Sequence, residues 1–185
     1  MAILAVTSEF AVAQREFKKF RVLIGAGYAT GSGYSSGGIF GTVEPAYRIS
    51  DKITAGVRAE LAGIVRGGLE GWTIDVDVSR ISSLTVNAVY YFDSEFIRPF
   101  AGVGAGNYTL SSIEYKLASG GPSQATGRDS EFGVYPRVGI DLGHFSFTID
   151  YNIIPKTKTP DGASFKNSYL ALRLAVFFGG GRKRI

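Results

Sequence analysis

One histidine, no cysteine and a thin scatter of acids narrow the chemistry open to this chain of 185 residues. Without Cys there is no thiol nucleophile, no disulfide framework and no Cys-ligated zinc. His144 stands alone, and a metal centre needs several ligands close together. Two glycine-spaced runs, GAGYATG (Gly25, Gly27, Gly31) and GVGAGN (Gly102, Gly104, Gly106), superficially suggest nucleotide loops. Neither reads into a helix, and no phosphate-binding lysine follows. A spacing of two instead puts each glycine set on one face of a strand, where packing needs room. The acids Glu70, Asp75 and Asp77 are oxygen ligands suited to a divalent cation. Trp72, Ile74, Val76 and Val78 alternate with them, however, so the stretch reads as the extension of two strands. No catalytic residue, cofactor or metal ligand is assigned, and an enzyme is not expected.

Composition points the same way. The chain is 45% hydrophobic and 19% charged, with 25 Gly, 13 Phe and 10 Tyr. Its mean hydropathy of +0.10 is apolar for a water-soluble protein of this size. No run of about 18 apolar residues exists, so no transmembrane helix is available. The net charge of +4 collects at Lys18, Lys19 and the GRKR run before Ile185. A nucleic-acid footprint would need a basic face interleaved with aromatics, so no nucleic acid is expected as a partner. The opening MAILAVTSEFAVAQ has an apolar start and an AVA ahead of Gln14, as at a signal-peptidase site. Residues 1–13 are accordingly read as a remnant of a secretory signal, 14–178 as one domain and 179–185 as a basic tail.

Period-two alternation of Val, Ile, Thr, Tyr and Phe divides the domain into eight strands. They lie near 19–30, 38–49, 52–66, 80–92, 96–117, 131–142, 144–155 and 166–178. Connections alternate in length. Ser50–Asp51, Asp93–Ser94–Glu95 and Gly143 are short; stretches near 30–38, 66–79, 118–130 and 156–165 are long and polar. That is an antiparallel meander with two unlike ends, and eight such strands can close and abolish both sheet edges.

Which face is wet decides the fold. In Tyr169–Phe178 the residues Leu170, Leu172, Leu174, Val176 and Phe178 share one face and Arg173 sits on the other. Strand after strand repeats this: Phe145, Phe147, Ile149, Tyr151 and Ile153 against Ser146, Thr148, Asp150 and Asn152. The second strand sets Ile39, Val43, Pro45 and Tyr47 against Thr42, Glu44 and Arg48. The polar set is small, carries Arg rather than mid-strand Lys, and balances its charges. Glu44, Arg58, Glu60, Arg137, Asp141, Asp150 and Arg173 therefore read as an ion-pair network inside a narrow barrel, where buried charges must pair. Aromatics of the apolar set gather at the short-turn end: Phe20, Tyr47, Tyr90, Phe92, Phe145 and Phe178. They read as an interfacial girdle, with a thinner one at Tyr28, Phe132 and Tyr151. The expected fold is all-β: an eight-stranded antiparallel up-and-down transmembrane β-barrel. Pro45 and Pro136 should sit at bulges or strand ends. The fifth strand, where Asn107 shares the parity of Val103 and Ala105, should carry a bulge or make room for bulky neighbours.

On IRPFAGVGAGNYTL after the DSEF turn, LGHFSFTIDYNI and the terminal YLALRLAVFF, the chain resembles the small outer-membrane β-barrel proteins of Gram-negative bacteria, the OmpA-, OmpX- and OmpW-like group. The likeness runs from Lys19 to Phe178. It departs from the family's usual aromatic last residue, since GGGRKRI follows Phe178. The resemblance implies residence in the outer membrane with the termini in the periplasm, and lipid as a partner. Lipid-modifying barrels of that membrane work near the outer leaflet, whereas His144 falls on the opposite rim. The expected function is a structural or partner-binding barrel with a side-chain-filled lumen; the alternative is a narrow channel or carrier for small or apolar solutes. Another envelope protein is expected to bind through extracellular loops or strand edges, with Trp72, Ile74, Asp75 and Asp77 as the candidate partner-binding loop.

Overall fold

The computed structural model describes residues 17–31, 36–70, 73–92, 97–115, 126–158, 164–165 and 167–180, with side chains omitted at 36, 65–70, 73–79, 112–115, 126–129, 157–158 and 164–165. The expected signal remnant and most of the basic tail lie outside them. Eight long strands close into a barrel: β1 Phe20–Gly31, β2 Ser36–Arg48, β3 Ile53–Glu70, β4 Thr73–Tyr91, β5 Ile97–Tyr115, β6 Thr126–Leu142, β7 Phe145–Asn152 and β10 Tyr169–Gly179. Every neighbouring pair is antiparallel, and β10 closes on β1. A two-residue hairpin, β8 Thr157–Lys158 with β9 Ser164–Phe165, stands in the last long connection.

The register fixes the barrel's geometry. The row of paired residues from Arg48 on β2 passes through Thr54, Val89, Gly102, Arg137, Asp150, Ala171 and Ala29. It returns to β2 at Gly38, displaced from position 48 to position 38, ten residues. Eight strands with that stagger tilt by about 40° and leave backbones about 16 Å apart across the bore. Such a bore is filled by side chains.

The two faces are inverted relative to a water-soluble protein. Phe20, Ile39, Leu84, Val103, Phe132 and Phe178 are each more than 60% exposed, while Arg58 and Asp150 are completely buried. The predicted girdle residues Phe20, Tyr47, Tyr90, Phe92, Phe145 and Phe178 all lie exposed on the outer face. Phe20 stacks edge-on against Tyr47 and Tyr90 against Phe92, at 5.0 and 5.5 Å between centroids. From the register these six fall within a band about 5 Å deep, and Tyr28, Tyr151 and Phe132 lie about 20 Å further along the axis. An uninterrupted apolar belt of that height, sheathing a charged interior, is stable only against hydrocarbon.

The structure decides three points that the sequence left open. The stretch 66–79 is not a loop: β3 runs to Glu70 and β4 starts at Thr73, in unbroken register from Ile53↔Tyr90 to Glu70↔Thr73. The alternation of Ile74, Val76 and Val78 sustains the ladder past the belt. Neither proline causes a bulge; Pro45 lies near the end of β2 and Pro136 where the continuous β6–β7 ladder stops, the strand-end placing the sequence allowed. The register is the same on both sides of Pro45 and of Pro136; only the ladder rungs beside them are missing, as the absent N–H requires. On β5 the pairing with β4 runs without a slip through Asn107, which is exposed outward; the one irregularity lies between Ser111 and Ser112, toward β6. Its glycines are spacers. A Cβ on Gly104 would run into the ring of Tyr135 from the next strand.

Candidate functional site

The bore is layered. Toward the long loops, Phe40, Ala62, Ile64, Ile81, Tyr108, Ile154 and Tyr169 pack into an apolar cluster. Toward the short turns, Leu23, Ala46, Ala175 and Phe177 form one small cluster, and Val89, Tyr91 and Phe100 another. Between them lies a charged layer, placed by the inward parity of five strands.

Arg137, on β6, is its hub. Its Nη1 donates to both oxygens of Glu44, at 2.8 and 3.0 Å, and its Nε donates to Asp150 Oδ1 at 2.7 Å. Arg173 Nη1 donates to Glu44 Oε2 from the other side at 2.9 Å. Arg58 Nη1 donates to Asp150 Oδ2 at 2.7 Å and lies 3.6 Å from Glu60 Oε2; its Nη2 donates to Asn152 Oδ1 at 3.1 Å. Tyr169 and Tyr108 seal the upper side, their hydroxyls donating to Glu60 and to Asn152 respectively. The ring of Tyr135 lies 3.9 Å from the Arg58 guanidinium carbon and 5.2 Å from that of Arg137.

Three arginines thus meet three carboxylates, every one of them at most 5% exposed. Burying an ion costs several kcal/mol unless Coulomb attraction and a full set of hydrogen bonds offset it. The forked, planar guanidinium supplies most of those bonds by reaching several acceptors, as where Arg137 reaches two acids on two strands at once.

Of the seven charged residues singled out in the sequence, Glu44, Arg58, Glu60, Arg137, Asp150 and Arg173 form this network, and Asp141 lies apart. Asp141 accepts from Arg21 Nη1 at 2.8 Å and from the Tyr91 hydroxyl at 2.9 Å, near the short turns. Sequence reasoning passed over Arg21, Asn152 and the four inward tyrosines Tyr91, Tyr108, Tyr135 and Tyr169, all buried. Parity was the available signal: Arg21 alternates with Phe20 and Val22, and Asn152 with Tyr151 and Ile153. Of the candidate partner-binding loop, Ile74, Asp75 and Asp77 lie on β4, and Trp72 is outside the described residues. His144 is exposed in the tight turn after Gly143, its ring stacked on Phe177 at 5.6 Å. Among the described residues no group of acids or histidines is placed to hold a metal.

Comparison with known proteins agrees with the architecture. Among curated proteins no sequence matches the chain. Among solved structures, neisserial surface protein A (NspA) is 18% identical, with a TM-score of 0.60 over 86% of this chain and 96% of that one. Ail, the attachment invasion locus protein of Yersinia pestis, solved with the heparin analogue sucrose octasulfate, is 16% identical, with a TM-score of 0.44 over 88% and 99%. The N-terminal β-barrel domain of Pseudomonas aeruginosa OprF is 13% identical, with a TM-score of 0.45 over 88% and 99%. The model of the outer membrane protein beta-barrel domain matches residues 1–178. A closed eight-stranded barrel, oily outside and ionic within, whose sequence matches that model over nearly its whole length, belongs to the family of outer membrane protein beta-barrel domains of the Gram-negative outer membrane.

Proposed function

We propose that the protein is a sealed barrel whose work is done at its ends, by holding a partner rather than by passing solute. The observation that carries this is the Glu44–Arg137–Asp150–Arg58 chain of ion pairs, which joins β2, β6, β7 and β3 across the middle of the bore. A permeating ion would have to break charge-assisted hydrogen bonds of 2.7–2.8 Å in a layer closed above by Tyr108 and Tyr169. In this reading the short turns and both termini face the periplasm and the long loops face outward. The β3–β4 hairpin then stands above the membrane. Its paired positions Val65↔Val78 and Leu69↔Ile74 share one face with Gly67↔Val76, and Arg66↔Asp77 and Gly68↔Asp75 share the other. Past Arg66, the β3 edge has no β2 partner among the described residues, which leaves backbone groups for strand addition by another envelope protein.

Planar-bilayer recording tests the sealed bore. The wild type is expected to give no steady single-channel steps, and Glu44→Ala with Arg137→Ala together to give them. Steady steps from the wild type would overturn the reading in favour of the second one, a narrow channel or carrier. That second reading draws on Thr42, Thr54, Ser83 and Ser146, whose buried hydroxyls line the bore without a hydrogen-bond partner among the described residues and so suit water. For the partner, Ile74→Lys with Val76→Lys should abolish capture of an envelope protein that the wild type retains from detergent-solubilised membranes. Equal capture by both would move the interface elsewhere.

A further inference from the structure

The short-turn end holds a second charged cluster that the bore network does not use. Arg21, Arg48 and Arg98, from β1, β2 and β5, converge on the ring of Tyr91, their guanidinium carbons 5.4, 5.8 and 4.5 Å from its centroid. Phe17, ahead of β1, lies against the same group, 4.4 Å from Arg48 and 4.0 Å from Arg98. Two of the three cations have defined oxygen partners. Arg21 donates to Asp141 at 2.8 Å, and Arg98 donates to the main-chain oxygen of Asp51 at 2.7 Å.

Arg48 differs. Only 2% of it is exposed, yet among the described residues its Nε and Nη1 are buried without a hydrogen-bond acceptor. A guanidinium keeps its charge, so those N–H groups cannot be silenced by losing a proton. Aromatic rings attract the cation but do not accept in-plane N–H bonds as an oxygen does. Among the described residues charge is also uneven, three guanidiniums facing the carboxylates of Asp141 and Asp51. The central layer pairs three with three.

We infer that this mouth binds an oxyanion, a phosphate or sulfate group, with Arg48 as its buried donor and half-buried Arg98 at its lip. The group is either a free ion or the phosphate of an anionic lipid headgroup reaching around the rim. Arg21, already engaged by Asp141, holds Tyr91 in place and supplies field.

The test is the thermal unfolding of the full chain, folded in a maltoside detergent that contains no phosphate and followed by the mobility of folded and unfolded forms on gels. Sodium phosphate and sulfate, compared with sodium chloride at equal ionic strength, should raise the midpoint saturably. Arg48→Gln should raise the half-saturating concentration at least tenfold, and Arg98→Gln should raise it less. Should Arg48→Gln fail to fold, broadening of the phosphorus-31 signal of inorganic phosphate by the wild type, and its weakening in Arg98→Gln at equal phosphate, decides instead. Micelles doped with phosphatidylglycerol distinguish the sources: a headgroup in the site abolishes the response to added phosphate, whereas a free-ion site keeps it. A midpoint that follows ionic strength alone overturns the inference. So does a full response in Arg48→Gln, or a response that appears only after residues 1–16 are removed, which would mean the chain's own acids fill the mouth.

Discussion

Replacing Glu44 by Leu isolates what the central ion pairs do. Glu44 accepts from Arg137 and from Arg173, and the two arginines are not equally dependent on it. Arg137 keeps Asp150, through bonds of 2.7 and 3.3 Å. Among the described residues Arg173 keeps only the Thr148 hydroxyl, at 3.5 Å. The single variant therefore leaves one guanidinium buried and unpaired, a loss of about 3–5 kcal/mol. Removing Arg173 as well, in Glu44→Leu with Arg173→Leu, restores balance, with Arg58 and Arg137 facing Glu60 and Asp150. A buried pair exchanged for apolar residues of similar volume is often near neutral, so the double variant should recover about 2–4 kcal/mol of the loss. Urea unfolding in lipid vesicles, read by the band shift between folded and unfolded barrel, measures both. If the two substitutions simply add, the pairing energy assigned to Glu44 and Arg173 is absent. If Glu44→Leu alone is neutral, the layer is hydrated enough to screen its charges, and the sealed bore falls with it.

Leu172, exposed outward next to inward Arg173, should tolerate Ala but not Arg, which near the middle of the belt costs about 2–4 kcal/mol and lowers insertion yield. Equal yields from Leu172→Arg and Leu172→Ala would contradict the facing assigned to β10. Gly104→Ala drives a methyl into the ring of Tyr135, itself wedged under Arg58, and should destabilise by about 1–3 kcal/mol, with Tyr135→Leu relieving part of the loss. A Cβ at Gly143, at φ +59° in the turn between β6 and β7, would meet nothing within 4 Å, so Gly143→Ala should lose only the left-handed backbone penalty of about 1–2 kcal/mol. Urea midpoints check both glycine variants.

Alternation carried most of the architecture, because side-chain period and strand period coincide at two and one misplaced residue inverts a face. Leu172 against Arg173 is enough to orient β10, and the short turns at Ser50 and Gly143 are enough to group the rims. What escaped was partnership. Seven charged residues of one parity look alike in sequence, yet Asp141 sits at the opposite end of its strand pairing from Asp150. Asp141 pairs with Ser146, four rungs along the β6–β7 ladder from the Arg137↔Asp150 pair. Arg137 meets Asp150 on the adjoining strand, whereas Asp141 meets Arg21, 120 positions earlier, from β1. The inward tyrosines were also obscured. An aromatic that serves as a girdle on one face reads the same as one that plugs the bore on the other, and only parity with a known neighbour separates Tyr90 from Tyr91. The strand ends were harder still. The Val and Ile alternation of 74–78 satisfies a ladder whether or not lipid lies beside it, so the belt's edge leaves no mark on the hairpin's register.

The ionic layer also bears on how the register is chosen. In a lipid-facing barrel the outer face gives a coarse signal, since a slip of two residues still presents apolar side chains to the bilayer. The inner face does not forgive the same slip. A shift of β2 by two residues against β1 and β3 would carry Glu44 about 6–7 Å along its strand. Arg137 and Arg173 would then lose their shared acceptor, and each misregistered state would hold unpaired buried charge. With partners drawn from β2, β3, β6, β7 and β10, a slip at almost any seam breaks at least one bond of the layer. The charges thus act against wrong closures more than they add to the right one. The Glu44 and Arg173 double variant, near neutral in equilibrium stability, should accordingly fold more slowly, or into more than one gel species, when refolded from urea into vesicles. A single species forming at the wild-type rate would show that register is set by the turns and the apolar belt alone.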